Sequence, residues 1–191
     1  VHPIGALTRG QQGQELTDFG ELFESGCAAL SDDGKPLLNP LLMRRALEYA
    51  KVFGRPVIQH AEDPALGAGG VMHEGLVSTT LGLRGIPSES ESTIVARDLS
   101  LAALTGGWLH LAHVPCAESV DLIRQAKQRG IHVTCEVTPH HLAMTDEAVE
   151  GFRTEAKVNP PLRSERDRQA LIDGLKDGTI DCIATDHSPH T

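Results

Sequence analysis

The sequence predicts an α/β fold in which a parallel sheet is covered by helices, and three observations carry that prediction. Short strand-like runs alternate with helix-patterned segments about six times along the chain. The strand runs are nearly all apolar, as strands buried on both faces are. Three of them end in a possible metal ligand: Ile58-Gln59-His60, Leu111-Ala112-His113 and Cys182-Ile183-Ala184-Thr185-Asp186.

The elements follow in order. Val1 to Leu7 reads as a strand weakened by Pro3 and Gly5, and Leu16-Thr17 opens a helix over Asp18 to Ser25 that Gly26 stops. Cys27 to Leu30 is a short buried strand, with Ser31-Asp32-Asp33-Gly34 as the polar turn at its carboxyl end. Asn39-Pro40 starts a helix with a capping side chain and a proline at the first helical position; Leu42, Ala46, Tyr49, Ala50 and Phe53 keep helical spacing up to Gly54. The strand Val57 to His60 leads into a glycine-rich segment, Gly67 to Gly75, that reads as a mobile loop. Further helices are expected over Glu91 to Leu104, over Glu118 to Arg129 and from Ser164 onward, with strands at Trp108 to His113, Ile131 to Val137 and a buried one at Cys182 to Ala184. Two prolines keep Val158-Asn159-Pro160-Pro161-Leu162 out of regular structure.

At 191 residues the chain suits one domain, 1–191, with no second domain. The net charge of -9, with no basic run, argues against nucleic acid as a partner. No apolar run approaches the ~20 residues of a membrane span. Four scattered cysteines without metal spacing suggest a reducing, cytoplasmic setting. Val1 lacks an initiator Met and starts abruptly on an apolar run, so the chain reads as an internal piece of a longer protein.

The chemistry chooses between a doubly wound sheet and a ring of strands. Ligands at the carboxyl ends of several strands converge most naturally in a (β/α) barrel, although a full barrel needs ~250 residues. His60 and His113 offer imidazoles and Asp186 a carboxylate, a mixed set suited to Zn²⁺. Asp33 is the natural fourth member, with Asp32 as competitor or turn cap. A carboxylate such as Asp186 beside an activated water can take its proton and return it to a leaving nitrogen. His190 could hold an anionic substrate group, and His187 reads as a supporting residue. Asn159, with both a donor and an acceptor, suits the edge of an amide or imide. At most one of His140 and His141 should face the site. His2, His73, His110 and His132 have no matching partners in the sequence.

Together these residues resemble the cyclic amidohydrolases, and most closely the bacterial dihydroorotases in which an aspartate bridges two metals. The matching stretches are Ser31 to Gly34, His60 to Asp63, Leu109 to Val114, Cys135 to Leu142, Lys157 to Arg163 and Ile183 to His190. Allantoinases and dihydropyrimidinases share the histidines and the final aspartate, but usually carry a carboxylated lysine where Ser31-Asp32-Asp33-Gly34 stands. The resemblance implies an incomplete TIM-type (β/α) barrel holding strands three to eight of the eight, with the family's His-x-His motif and a substrate-binding arginine before Val1.

It further implies Asp33 as the bridging ligand, His60 and His113 as ligands of one metal, and Asp186 as ligand and general acid/base. Asn159 and His190 would contact the substrate. The cofactor would be two Zn²⁺ ions, the second site incomplete in this chain. The implied activity is reversible cyclisation of N-carbamoyl-L-aspartate to dihydroorotate in pyrimidine synthesis, with a second copy or aspartate transcarbamoylase as possible protein partners. Two other readings stand beside it: a non-catalytic fragment or scaffold, and an allantoinase- or dihydropyrimidinase-type hydrolase. His113-Val114-Pro115-Cys116 departs from the family's small hydroxyl residues after the histidine.

Overall fold

The computed structural model describes residues 1–188. Its strands are β1 (Ile4–Ala6), β2 (Ala29–Ser31), β3 (Val57–Gln59), β4 (Met72–His73), β5 (Gly85–Ile86), β6 (Leu109–Leu111), β7 (Val133–Val137) and β8 (Cys182–Ile183). Its α-helices are α1 (Phe19–Glu24), α2 (Pro40–Val52), α3 (Leu76–Leu81), α4 (Glu89–Thr105), α5 (Ala117–Gln128), α6 (Pro139–Ala143) and α7 (Glu165–Asp177).

Six strands form one sheet in the order β1-β2-β3-β6-β7-β8, every pair parallel. The order never reverses. A doubly wound sheet changes direction at a switch point, whereas a barrel wall adds each strand beside the last. The architecture is therefore α/β, part of a (β/α) barrel, with α2, α4, α5 and α7 packed in succession on the outside.

Side chains alternate across this wall. Leu30, Val57, Leu109, Leu111, Val133, Cys135 and Val137 join the helices in one buried core. The intervening Ile58, His110, Thr134 and Glu136 are only half-buried, and Ile58 and Glu136 line the concave side. The inner face is thus more polar than the sequence suggested. His110, without a partner in the sequence reading, stands 3.1 Å from Glu136 Oε2 and 2.8 Å from Thr134 Oγ1.

Local sequence explains the helix ends. Asp18 caps α1 by accepting from the Glu21 amide, Asn39 accepts from Leu41 and Leu42 at the start of α2, and Ser164 and Asp167 cap α7 reciprocally. Gly107 carries the chain from α4 into β6 where a Cβ would lie 2.7 Å from Leu47 O on α2, so no side chain fits there.

Two expectations are corrected. Cys182 and Ile183 are exposed rather than buried, because β8 pairs only with β7 and forms one edge of the sheet. β1 forms the other edge, and Ile4 is 56% exposed there. The glycine-rich segment is held by backbone pairing: β4 pairs with β5 in a separate two-stranded sheet, and Val71 N–H and Glu74 N–H donate to Arg84 O and Ile86 O. Gly85 permits this approach, since a Cβ there would meet Glu74 Cα at 2.3 Å.

Candidate functional site

Because all six strands run the same way, their carboxyl ends deliver Asp33, His60, His113 and Thr138 to one rim. Asp33 Oδ1 lies 3.1 Å from His113 Nε2 and 3.6 Å from His60 Nδ1, and the two ring nitrogens are 3.0 Å apart. One ligand atom from each residue falls within 4.8 Å of the others. Both histidines are buried, and Asp33 is exposed on the cleft side.

The two aspartates of the β2 turn divide sharply. Asp32 is buried and accepts from the amides of Leu7 and Thr8, each at 2.9 Å, and from the Thr8 hydroxyl. It ties the end of β1 to β2. Asp33, one residue on, is left to face the histidines.

The neighbouring groups fix the state of each ring. Burial alone would lower the His60 pKa, but the carboxylates of Asp33 and Glu62 outweigh it and raise the imidazole to about 9. His113 and His60 hold the Asp33 carboxyl far below the usual carboxylate range. Glu62 Oε2 accepts from His60 Nε2–H at 2.9 Å, which turns Nδ1 toward Asp33 and His113. Two imidazole nitrogens and a carboxylate oxygen crowded this closely are a donor set that a divalent cation fits.

Backbone bonds hold the segment that carries His113. His113 adopts φ +36, an uncommon conformation for a residue with a side chain. Bonds on either side constrain it: Ala112 N–H donates to Gln59 O and Val114 N–H to Glu136 O. Gln59, next to His60, is buried between its bonds to Leu37 and to Asp98, whose carboxylate also receives Arg97.

A cleft of about 710 Å³ opens over the cluster, lined by Asp33, His60, His113, His140, Asn159 and Asp186 among others. Asp186, at φ +49, stands on its rim and outside the three-residue cluster. His187 is exposed, and His190 lies outside the described residues. Asn159 lines the cleft while its amide donates to Glu62 Oε2 at 3.2 Å.

Of the adjacent histidines, His140 lines the cleft and His141 is buried beneath the 157–163 loop. Burial holds His141 down at about 3, and its Nε2–H donates to Pro160 O while the Thr138 hydroxyl donates to Nδ1. His73 was also passed over: Arg163 Nη1 donates to its Nδ1 at 3.1 Å. Sequence reasoning quoted Glu62 without giving it a part. The signal was a carboxylate two residues beyond a strand-end histidine.

A parallel (β/α) barrel wall with two histidines and an aspartate gathered at its carboxyl rim defines a class, the (β/α)-barrel proteins with a candidate metal site at that rim. Within that class the chain belongs to the dihydro-orotase-like family, whose model matches residues 1–119. It is 60% identical over 191 residues to the dihydroorotase of Pelotomaculum thermopropionicum and 58% identical over 193 residues to that of an Anaeromyxobacter species. Each alignment takes in 100% of this chain and 45% of the relative, so the chain spans about half the length of the curated relatives it matches. The solved L-hydantoinase (dihydropyrimidinase) of Arthrobacter aurescens shares the fold, with a TM-score of 0.81 at 23% identity over 99% of this chain and 43% of that one.

Proposed function

We propose that the chain carries the metal-binding part of a dihydroorotase, and that the whole protein reversibly cyclises N-carbamoyl-L-aspartate to dihydroorotate. The observation that supports this most is the convergence of Asp33 Oδ1, His60 Nδ1 and His113 Nε2 in a chain 60% identical to a protein named dihydroorotase. An ordinary carboxylate in the Ser31-Asp32-Asp33-Gly34 turn favours this reading over the hydantoinase and allantoinase types.

Asp33, His60 and His113 would hold Zn²⁺, with Asp186 as a further ligand. Bound there, the metal supplies Lewis acidity that activates water and polarises the ring amide carbonyl. Glu62 holds a proton on His60 Nε2 and so orients the ring with Nδ1 toward Asp33 and His113, the edge that would meet a metal once its own proton is displaced. Asp186, on the open side of the cleft, accepts the proton of the attacking water and delivers it to the departing ring nitrogen. Asn159 and His190 contact the polar edge and the carboxylate of the substrate. A second copy of the chain and aspartate transcarbamoylase are the protein partners to test by co-sedimentation. The free thiols suit a cytoplasmic location.

Metal analysis combined with hydrolysis of dihydroorotate, hydantoin, dihydrouracil and allantoin by the whole protein tests the proposal. Zinc-dependent turnover of dihydroorotate above the other three is expected. Preference for one of the other rings, or full turnover without metal, would overturn it.

A further inference from the structure

Beside the metal cluster, on the far side of His60 and Glu62, lies a second and much smaller space. It measures about 10 Å³ and is lined by His60, Glu62, Ser90, Glu91, Asn159 and Arg163 among others. Two of these are buried ionisable side chains with atoms left over. Glu91, in the first turn of α4, is 4% exposed, and Arg163, at the end of the 157–163 loop, is 3% exposed. Glu91 Oε1 and Arg163 Nε have no hydrogen-bond partner among the described residues, and neither has the nearby Ser119 Oγ. The other end of Arg163 is committed, with Nη1 donating to Ile86 O at 2.6 Å and to His73 Nδ1.

A buried donor and a buried acceptor left unmatched cost about 1–3 kcal/mol each, more when charged. A polar space of this size is about that of one water, and a water can accept from a guanidinium while donating to a carboxylate. We propose that Glu91 and Arg163 hold a single ordered water between them, and that this water-bridged pair is a positioning element that clamps the Asn159-bearing loop onto α4.

The loop has two anchors. Pro160 O is fixed by His141, and Arg163 is fixed to β5 by Ile86 O and to α4 through the water. Between them Pro160 and Pro161 leave the backbone little freedom. A change at the Arg163 end is therefore passed to Asn159, whose amide reaches the metal-side carboxylate of Glu62. Glu91 and Arg163 touch neither substrate nor metal in this arrangement. They act through Asn159.

The part played by Asn159 rests on the proposed dihydroorotase reading, so the experiment needs arms that do not. In a high-resolution crystal structure of the whole protein, one water within hydrogen-bond distance of both Glu91 Oε1 and Arg163 Nε is expected. A direct contact between the two side chains, or an empty space, would overturn the proposal. Arg163→Lys removes the Nε donor but keeps the charge, and Glu91→Gln keeps an acceptor for the water. Amide hydrogen exchange over residues 157–163 should rise ~10-fold or more in Arg163→Lys, and stay within ~3-fold of the parent in Glu91→Gln, with bound metal unchanged in both. Equal exchange in parent and Arg163→Lys would sink the clamp. With dihydroorotate as substrate, Arg163→Lys should raise KM ~10-fold and alter kcat less than ~3-fold. If water and exchange behave as described but the parent does not turn over dihydroorotate, the functional reading fails and the clamp stands.

Discussion

His60 Nδ1 and His113 Nε2 lie 3.0 Å apart with Asp33 Oδ1 within 3.6 Å of both. Without a cation, a proton must sit among these atoms, and His60, raised to about 9, holds it readily. Metal binding therefore displaces a proton. Isothermal titration with Zn²⁺ in buffers of different ionisation enthalpy should report release of about one proton at neutral pH, and Asp33→Asn should weaken binding by more than ~10-fold.

Glu62 is expected to matter nearly as much as a ligand. Its carboxylate orients His60 without reaching the cluster. Glu62→Gln can present an amide hydrogen to Nε2 and favour the wrong tautomer. Metal affinity measured by competition with a chelator should fall ~10–100-fold, the usual effect of losing such a support.

Adjacent aspartates should give opposite phenotypes. Asp32→Ala strands the buried Thr8 amide, takes the acceptor from the Thr8 hydroxyl and leaves the Leu7 amide with Ser31 O alone, and should cost about 2–4 kcal/mol in denaturant unfolding. Asp33→Ala loses only its contacts with His60 and His113 on the open side of the cleft, so it should cost the metal-free protein less than Asp32→Ala does while removing metal.

Buried His141 gives a pH signature. Its folded pKa, about 3, lies below the ordinary value of 6.5, so the folded state favours the neutral ring. Its contribution is complete above pH 6.5 and is lost as pH falls from there toward 3, by up to ~1.4 kcal/mol per unit. Parent stability in urea should decline over that window more steeply than that of His141→Gln. Equal slopes would count against the neutral, buried ring.

Gly107→Ala should destabilise by about 1–3 kcal/mol, because its methyl group would press on Leu47 O between α2 and β6. Thermal unfolding of the metal-free protein reads this directly.

Much of the architecture was legible because it is written in local signals. Asn39-Pro40 and Ser164 cap the helices predicted to start there, and strand-end histidines announced a common rim. What was hidden depends on which way side chains turn and on which neighbours a strand acquires. Nothing within Asp32-Asp33 says which carboxylate β1 will claim. Cys182-Ile183 has the composition of a core strand, yet only β7 pairs with it. Met72 and Gly85 are too far apart in sequence for their pairing to show in a glycine-rich run. The part of Arg163 was hidden for the same reason: its partners, His73 and Ile86, are remote in sequence and come to it only through the β4–β5 pair.

One oxygen atom has a wider consequence. Glu62 Oε2 receives both His60 Nε2–H and the Asn159 amide. A cation on His60 makes the opposite N–H more acidic and draws the carboxylate toward it, loosening the claim of Asn159 and freeing that amide for another acceptor. By reciprocity, whatever engages Asn159 changes the affinity for the cation by the same factor. Metal and organic ligand would then fill the cleft as coupled rather than independent events, with a shared acceptor as the coupling element.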